Sequence, residues 1–363
     1  MSFLNTLGWS PFFEAQRKTL TELAAHGREP APTWIGRVTA AYGQDYAVLT
    51  EAGPGRASLR GRDLFTLSPQ ELPAVGDWVM VQDVGDLLLI VHRFERRTCL
   101  LRQAAGAKTQ AQVIGSNVDV VFVVTSITGD LNLRRLERFL TAVWDAGARP
   151  VIVLSKADLV ADPEAIRQEV AEAMMGVPVV AVSAHRSEGL APLRAFLGEG
   201  VTAALVGSSG VGKSTLVNHL IGQEVQVVRE IRRDAWRGKH TTSHRELFVL
   251  DGGGVLLDTP GMRELAIWDG HEGFGQTFED IEVLVTSCAF RNCTHDGERG
   301  CAVEEALADG RLDAGRWTSF QKLQREIAFH ERKREVANFD ERRKNKKFSK
   351  MVRQVVRDKY GEG

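Results

Sequence analysis

The period of the hydrophobic pattern changes along the chain, and each change predicts a different architecture. Near the start, Phe12, Phe13, Leu20 and Leu23 stand among charged residues between Pro11 and Gly27, which predicts a helix that packs as an extension. From Thr33 to Thr98 apolar and polar positions alternate in short runs. Trp34–Ala41, Tyr46–Thr50, Arg56–Arg60, Gly76–Val81 and Leu87–Phe94 read as five strands separated by turns. Five strands of this length predict a small β-barrel of the oligonucleotide-binding (OB) type.

An Ala-, Gly- and Gln-rich stretch comes next, Leu101–Ser116, and is expected to be a linker. The runs then become continuous and β-branched: Val118–Ser126, Pro150–Leu154, Val177–Val182, Thr202–Val206 and Gly254–Asp258. Strands of that kind are buried on both faces of a parallel sheet. Helical spacing falls between most of them, over Leu133–Ala146, Pro163–Met175 and Leu190–Leu197, the first two stopped by Gly147 and Gly176. The fold class predicted is therefore α/β, with a doubly wound, mostly parallel sheet. After about Trp268 the strands stop, a cysteine-rich segment appears, and helical spacing runs from about Gly315 to Asp358. The expected division is a helical extension (1–32), the barrel (33–100), the α/β domain (101–270), a metal-binding helical unit (271–335) and a basic tail (336–363).

Composition agrees with several folded units. A chain of 363 residues exceeds one ordinary core, and 43% hydrophobic with 26% charged residues is the profile of a folded soluble protein. No run of about twenty apolar residues occurs, and Met1-Ser2-Phe3-Leu4-Asn5 lacks the features of a signal peptide. A cytoplasmic protein with no membrane partner is expected. No long apolar heptad pattern appears, so a monomer is expected. The net charge of −1 hides an asymmetry: Glu331–Tyr360 holds twelve Lys/Arg against five Asp/Glu. With Phe339, Phe348 and Tyr360 nearby, Arg342–Lys347 has the mixture of cations and aromatics that RNA-binding segments use, while a solvated helix face explains the same composition.

The chemistry begins at Gly207-Ser208-Ser209-Gly210-Val211-Gly212-Lys213-Ser214, which satisfies G-x-x-x-x-G-K-[ST] between a predicted strand and a predicted helix, Thr215–Ile221. Glycines let the backbone N–H groups curl around phosphate oxygens, and the helix N-terminus adds partial positive charge. Lys213 is expected to neutralise the β- and γ-phosphates, a catalytic role, and Ser214 to ligate Mg²⁺. Thr215 completes the loop's nucleotide contacts.

Ser155-Lys156-Ala157-Asp158 follows a buried strand and resembles the [NT]-K-x-D guanine motif. A carboxylate at Asp158 accepts both N1–H and the amino group of guanine, and adenine would leave it desolvated and unpaired. Ser155 replaces the usual Asn or Thr, a weaker hydrogen-bonding group, so the departure bears on nucleotide affinity and not on guanine identity. Ser183 and Ala184, at the end of the next strand, resemble the S-A-x loop whose backbone touches guanine O6.

Asp258-Thr259-Pro260-Gly261 resembles D-x-x-G, in which the Asp reaches Mg²⁺ through water and the Gly N–H senses the γ-phosphate. Between it and the phosphate loop, Arg232–His244 reads as a switch loop supplying either Thr241 or Thr242 to Mg²⁺. Met262 stands where many GTPases place a water-orienting Gln, which predicts slow intrinsic hydrolysis. His240 is the candidate to orient the attacking water, with a solvated loop histidine as the alternative. Cys288, Cys293, His295 and Cys301 fall within fourteen residues, with Gly297 and Gly300 supplying turns, and Cys₃His suits one tetrahedral structural Zn²⁺. Cys99 stands apart as a core or loop residue.

In ordinary GTPases the guanine motif and S-A-x come last; here they come first. With that permuted order, the barrel, Asn117-Val118-Asp119 at the entry to the α/β domain, Gly238-Lys239-His240-Thr241-Thr242 and the zinc-type cluster, the chain resembles the RsgA (YjeQ) family of circularly permuted GTPases over nearly its whole length. The resemblance implies a GTP/GDP cycle, ribosome-stimulated hydrolysis, contact with the 30S subunit and 16S rRNA, a part in late 30S maturation, and release afterwards. A GTP-binding signalling or scaffold protein acting on protein partners would use the same pocket.

Overall fold

Alternating burial along β2 (Asp45–Thr50), with Tyr46, Val48 and Thr50 inward, is the signature of a strand with one face in a small core. It belongs to a closed barrel with β1 (Thr33–Tyr42), β3 (Gly53–Leu59), β4 (Trp78–Asp83) and β5 (Leu88–Arg93). The pairing runs β1-β2-β3-β5-β4 and returns to β1, antiparallel except for the parallel β3–β5 pair. Val38, Tyr46, Val48, Ala57, Leu59, Val79, Val81 and Ile90 fill it, and the helix α3 (Gly61–Thr66) lies between β3 and β4. This five-strand arrangement is the barrel expected from the alternation.

The computed structural model describes residues 2–24, 32–103, 111–222, 245–251, 253–258, 265–267 and 271–333. The chain divides into two units, Met1–Ile267 and Trp268–Gly363. In the first, the short α1 (Phe3–Thr6) and α2 (Pro11–Ala24) bring Leu7 and Phe13 onto Trp78 and Phe94 of the barrel.

Extension, barrel and α/β domain meet at Arg37, which β1 carries fully inside. Its Nε donates to Gly76 O at 3.2 Å and its Nη2 to Asn117 O at 3.0 Å, while Nη1 donates to Leu7 O. Gly76 is required there: its φ is +95°, and a Cβ would lie 2.1 Å from Ser116 O.

The expected linker is instead a hairpin of β6 (Cys99–Gln103) and β7 (Ala111–Ser116). Val113 and Ile114 of β7 are buried, so two adjacent apolar residues in a Gly- and Gln-rich stretch sufficed to seat a strand.

The α/β domain runs β8 (Val120–Ser126), α4 (Leu133–Asp145), β9 (Arg149–Ser155), α5 (Pro163–Ala173), β10 (Val179–Val182), α6 (Leu190–Arg194), β11 (Thr202–Val206), α7 (residues 213–222), β12 (Glu246–Val249) and β13 (Val255–Asp258). Strand order is β10-β9-β8-β11-β13-β12, parallel except for the antiparallel β12, which the sequence pattern did not announce. Asn132 and Asp162 cap α4 and α5 through their side chains, the residue types this position prefers. Leu190, Leu193, Leu216 and Leu220 of α6 and α7 pack against Phe122, Val124, Val151 and Val153.

In the second unit, α8 (His271–Thr277), α9 (Glu279–Thr286), α10 (Ala302–Ala308) and α11 (residues 314–333) bury Phe274, Phe278, Ile281, Val303, Phe320 and Leu323. Arg316 pairs with Asp280 at 2.7 Å and lies over the Phe278 ring. Among the described residues no helix is long and apolar enough to cross a membrane.

Candidate functional site

The chain crosses from β10 back to β11 on the far side of β8, so strand order reverses between β8 and β11. In open α/β sheets, ligands bind at such a point, beyond the C-terminal strand ends. Residues 207–212 occupy it. Gly207 has φ +142°, and a Cβ there would sit 2.1 Å from Val124 O of β8, so only glycine can leave β11 this way.

Gly210 and Gly212 also have positive φ. Val211 is buried and anchors the loop, while Ser208 is half-buried and Ser209 exposed. Leu216 N donates to Gly212 O at 2.9 Å as α7 begins. Lys213 Nζ lies 2.6 Å from both Gly207 O and Ser208 O, so the ammonium is folded over its own loop. Ser214 and Thr215 are exposed on the first turn of α7, where a helix presents unpaired amides.

Ser155, the buried last residue of β9, binds this loop directly. Its Oγ lies 2.5 Å from Val211 O and 3.1 Å from Thr125 O at the end of β8. Lys156 turns the backbone with φ +60°, and Asp158 lies in the 3₁₀ turn beyond it, Ala157–Leu159. Ser183 Oγ, fully buried, donates to Asp158 Oδ1 at 2.6 Å and accepts from Arg186 N at 3.1 Å.

Ser183 and Glu188 exchange two backbone bonds of 3.0 Å, closing the loop that contains half-buried Ala184. The Ser183 hydrogen bond, against the opposing effect of burial, holds the Asp158 carboxyl below its ordinary range, with Arg186 and His185 adding to the effect. Ser155 through Asp158, Ser183, Ala184 and the 207–214 loop thus form one constellation.

Asp258 ends β13, whose Leu257 pairs with Ala204 of β11. It is half-buried one strand from the phosphate loop, and the neighbouring strand places Glu246 opposite it. Asp258 and Ser214 supply hard oxygen donors, the kind Mg²⁺ takes. His240, Thr241, Thr242, Gly261 and Met262 lie outside the described residues.

In the second unit, one ligand atom from each of Cys288, Cys293, His295 and Cys301 falls within 4.8 Å of the others. Cys288 Sγ lies 3.5 Å from His295 Nδ1 and 4.0 Å from Cys301 Sγ, and Cys301 Sγ lies 3.4 Å from Nδ1. With Zn–S of about 2.3 Å and Zn–N of about 2.0–2.1 Å, a tetrahedron has edges of roughly 3.5–3.8 Å, close to the separations among Cys288, His295 and Cys301. The thiols are free. His295 has φ +59° and Gly297 +84°, which fold the loop inward. Burial opposes the Cys288 thiolate, but the amides of Ala302 and Val303 at the start of α10, together with the Cys293 and Cys301 thiols, outweigh it and its pKa is lowered.

Residues 93–268 match the RsgA GTPase family. The small ribosomal subunit biogenesis GTPase RsgA 1 of Oceanobacillus iheyensis is 44% identical over 321 residues, 87% of this chain and 91% of its own. Its namesake in Listeria innocua is 41% identical over 334 residues, 92% of each chain. The chain belongs to the RsgA GTPase family. As an RsgA GTPase it is a GTP-hydrolysing enzyme.

Its fold is shared with YloQ, a circularly permuted GTPase, at 29% identity and a TM-score of 0.60 over 83% of this chain and 98% of that one. YjeQ from Thermotoga maritima matches with a TM-score of 0.61 and 24% identity, over 82% and 99% of the two chains. The sequence pattern of this RsgA chain does not reveal several partners in the two sites. Thr125 contributes a carbonyl, and nothing distinguishes it among seven buried strand residues. Glu298 accepts from the Thr294 hydroxyl and from Asp296 N and Thr294 N at 2.7 Å each, which lowers its pKa to about 2 and fastens the loop that carries His295. A Glu between two turn glycines was the available signal.

Proposed function

We propose that this chain binds GTP and GDP between the 207–214 loop and Asp158 and hydrolyses GTP in response to the small ribosomal subunit, assisting its late maturation. The contact of Ser155 with Val211 carries the reading, because it draws the guanine motif and the phosphate loop to one crevice despite their reversed order. The backbone amides of residues 208–214 and Lys213 would hold the phosphates, and Asp158 with the Ala184 backbone would read the base. Mg²⁺ would supply charge neutralisation at the β- and γ-phosphates. Ser214, Asp258 and either Thr241 or Thr242 are the residues to hold it. Gly261 would sense the γ-phosphate, and His240 would orient the water.

Cys288, Cys293, His295 and Cys301 would hold one structural Zn²⁺, since sulfur-rich tetrahedral sets favour it. The names of the relatives, small ribosomal subunit biogenesis GTPases, support the ribosomal partner, and the basic segment 342–347 suits 16S rRNA. A monomer in the cytoplasm, divided into extension, barrel, α/β domain, metal-binding unit and basic tail, completes the proposal.

The test is the GTPase rate with and without purified 30S subunits at several salt concentrations. Strong, salt-sensitive stimulation is expected, because phosphate contacts weaken with salt. No stimulation would favour a signalling or scaffold protein instead. Single-turnover hydrolysis by His240→Ala should slow, and an unchanged rate removes that residue from the mechanism.

A further inference from the structure

β12 is four residues long and would be the edge of the α/β sheet, yet its outer side is covered by a barrel strand. Glu246 pairs with Asp258 of β13 on one side and with Ala40 of β1 on the other. Ala40, Glu246 and Asp258 therefore form one row across three adjacent strands. At about 4.8 Å between neighbouring strands, the barrel backbone stands roughly 10 Å from the backbone of Asp258.

β1 is shaped for this. Thr33–Arg37 pair with β4 and close the barrel, whereas Ala40 pairs with β12. A register shift against β2 between Val38 and Ala40 marks the turn from one neighbour to the other. Bulges of this kind bend a strand and re-aim the residues beyond them. The corner is fastened from below: Val38 N donates to Asp77 O at 2.8 Å, and Gly76 N donates to Val38 O at 2.9 Å. Asp77 is itself held by Arg96, whose Nε and Nη2 reach its two oxygens at 2.8 and 2.7 Å. β12 is steadied at its entry as well, where Arg245 Nη1 donates to Val113 O of β7 at 3.1 Å.

We infer that β1 is part of the support of the hydrolytic site: Ala40, through β12, is a positioning residue for Asp258. This rests on the proposed role of Asp258 toward Mg²⁺. A carboxylate that reaches a metal must be held to a fraction of an ångström, and changing the groups that orient it typically costs about 10–100-fold in metal affinity. If the row moves as a unit, a ligand that re-seats the barrel changes Mg²⁺ affinity, and Mg²⁺ changes the affinity for that ligand by the same factor.

The test measures binding of fluorescent GDP to the full chain, in EDTA and across a Mg²⁺ titration. Asp258→Ala should lose the Mg²⁺-dependent tightening; if it keeps that tightening, the Mg²⁺ assignment itself fails. Ala40→Pro, which disturbs the β1–β12 row, should need about tenfold more Mg²⁺ while its affinity in EDTA matches the wild type. Loss of tightening in Asp258→Ala with an unshifted titration in Ala40→Pro overturns the inference alone. Should Ala40→Pro fail to fold, hydrogen exchange on the wild-type protein decides. Amides at residues 38–42 and 246–249 should slow when Mg²⁺ is added to the GDP complex, and unchanged exchange at 38–42 overturns the inference.

Discussion

Ser155 Oγ stands 2.5 Å from Val211 O and 3.1 Å from Thr125 O. A hydroxyl has one proton to donate, so the two carbonyls share it, whereas an amide could give one N–H to each. The link is nevertheless buried, and losing a donor to a buried carbonyl costs about 1–3 kcal/mol. Ser155→Ala should therefore weaken GDP and GTP binding together by roughly tenfold or more, measured with fluorescent nucleotides. Preference for guanine over adenine should persist, because Asp158 is untouched. A fall in that preference with affinity preserved would show that Ser155 serves the base and not the phosphate loop.

Much of this site was legible because its residues are forced. Gly207 must be glycine against Val124 O, and short continuous β-branched runs favour buried strands by their length and residue type. What escaped the sequence was pairing at a distance. Ser155 and Val211 lie 56 positions apart, and Ser183 and Asp158 lie 25 apart, and no local periodicity encodes which loop meets which. β12 escaped because Glu246–Val249 is too short to show a period. Arg37 occupies a strand position that reads as solvent-facing, and only the junction of three segments makes it buried.

Guanine recognition should fail in acid at a point set by Ser183. Asp158 must be ionised to accept two guanine hydrogens, and the Ser183 hydrogen bond depresses its pKa. Affinity is then full above the depressed pKa and falls as pH drops through it. Ser183→Ala removes the largest cause, so the pKa rises and the acid limb of GDP affinity moves to higher pH. A limb that stays in place in Ser183→Ala, or one that moves down, contradicts the assignment.

Folding should depend on a bound metal in one unit and not in the other. The four ligands sit in Trp268–Gly363, where short helices pack around a few aromatics, and binding energy in such units is folding energy. One Zn²⁺ per chain is expected by elemental analysis. Cys301→Ser, or a strong chelator, should reduce helical circular dichroism while fluorescent GDP still binds the first unit. Full helicity after complete loss of metal would make the cluster incidental to folding.

Arg37 sets the largest stability effect expected of one surface-type residue. Burial pulls its pKa down to about 9, so it is still a cation at neutral pH. Its planar fork reaches Leu7 O, Gly76 O and Asn117 O, one each from the extension, the barrel and the entry to the α/β domain. Arg37→Met keeps the volume but withdraws a donor from all three buried carbonyls, a loss of about 3 kcal/mol. At roughly 2–4 °C per kcal/mol for a unit of this size, the midpoint should fall by roughly 6–12 °C in calorimetry. Lysine offers a point charge and not a fork, so Arg37→Lys should recover only part of the loss. Arg17, paired with Glu14 across one helical turn on the surface, is the control: Arg17→Met should cost less than about 1 kcal/mol. If Arg37→Met melts with the wild type, the three segments are joined by their apolar contacts alone, and the guanidinium only fills space between them.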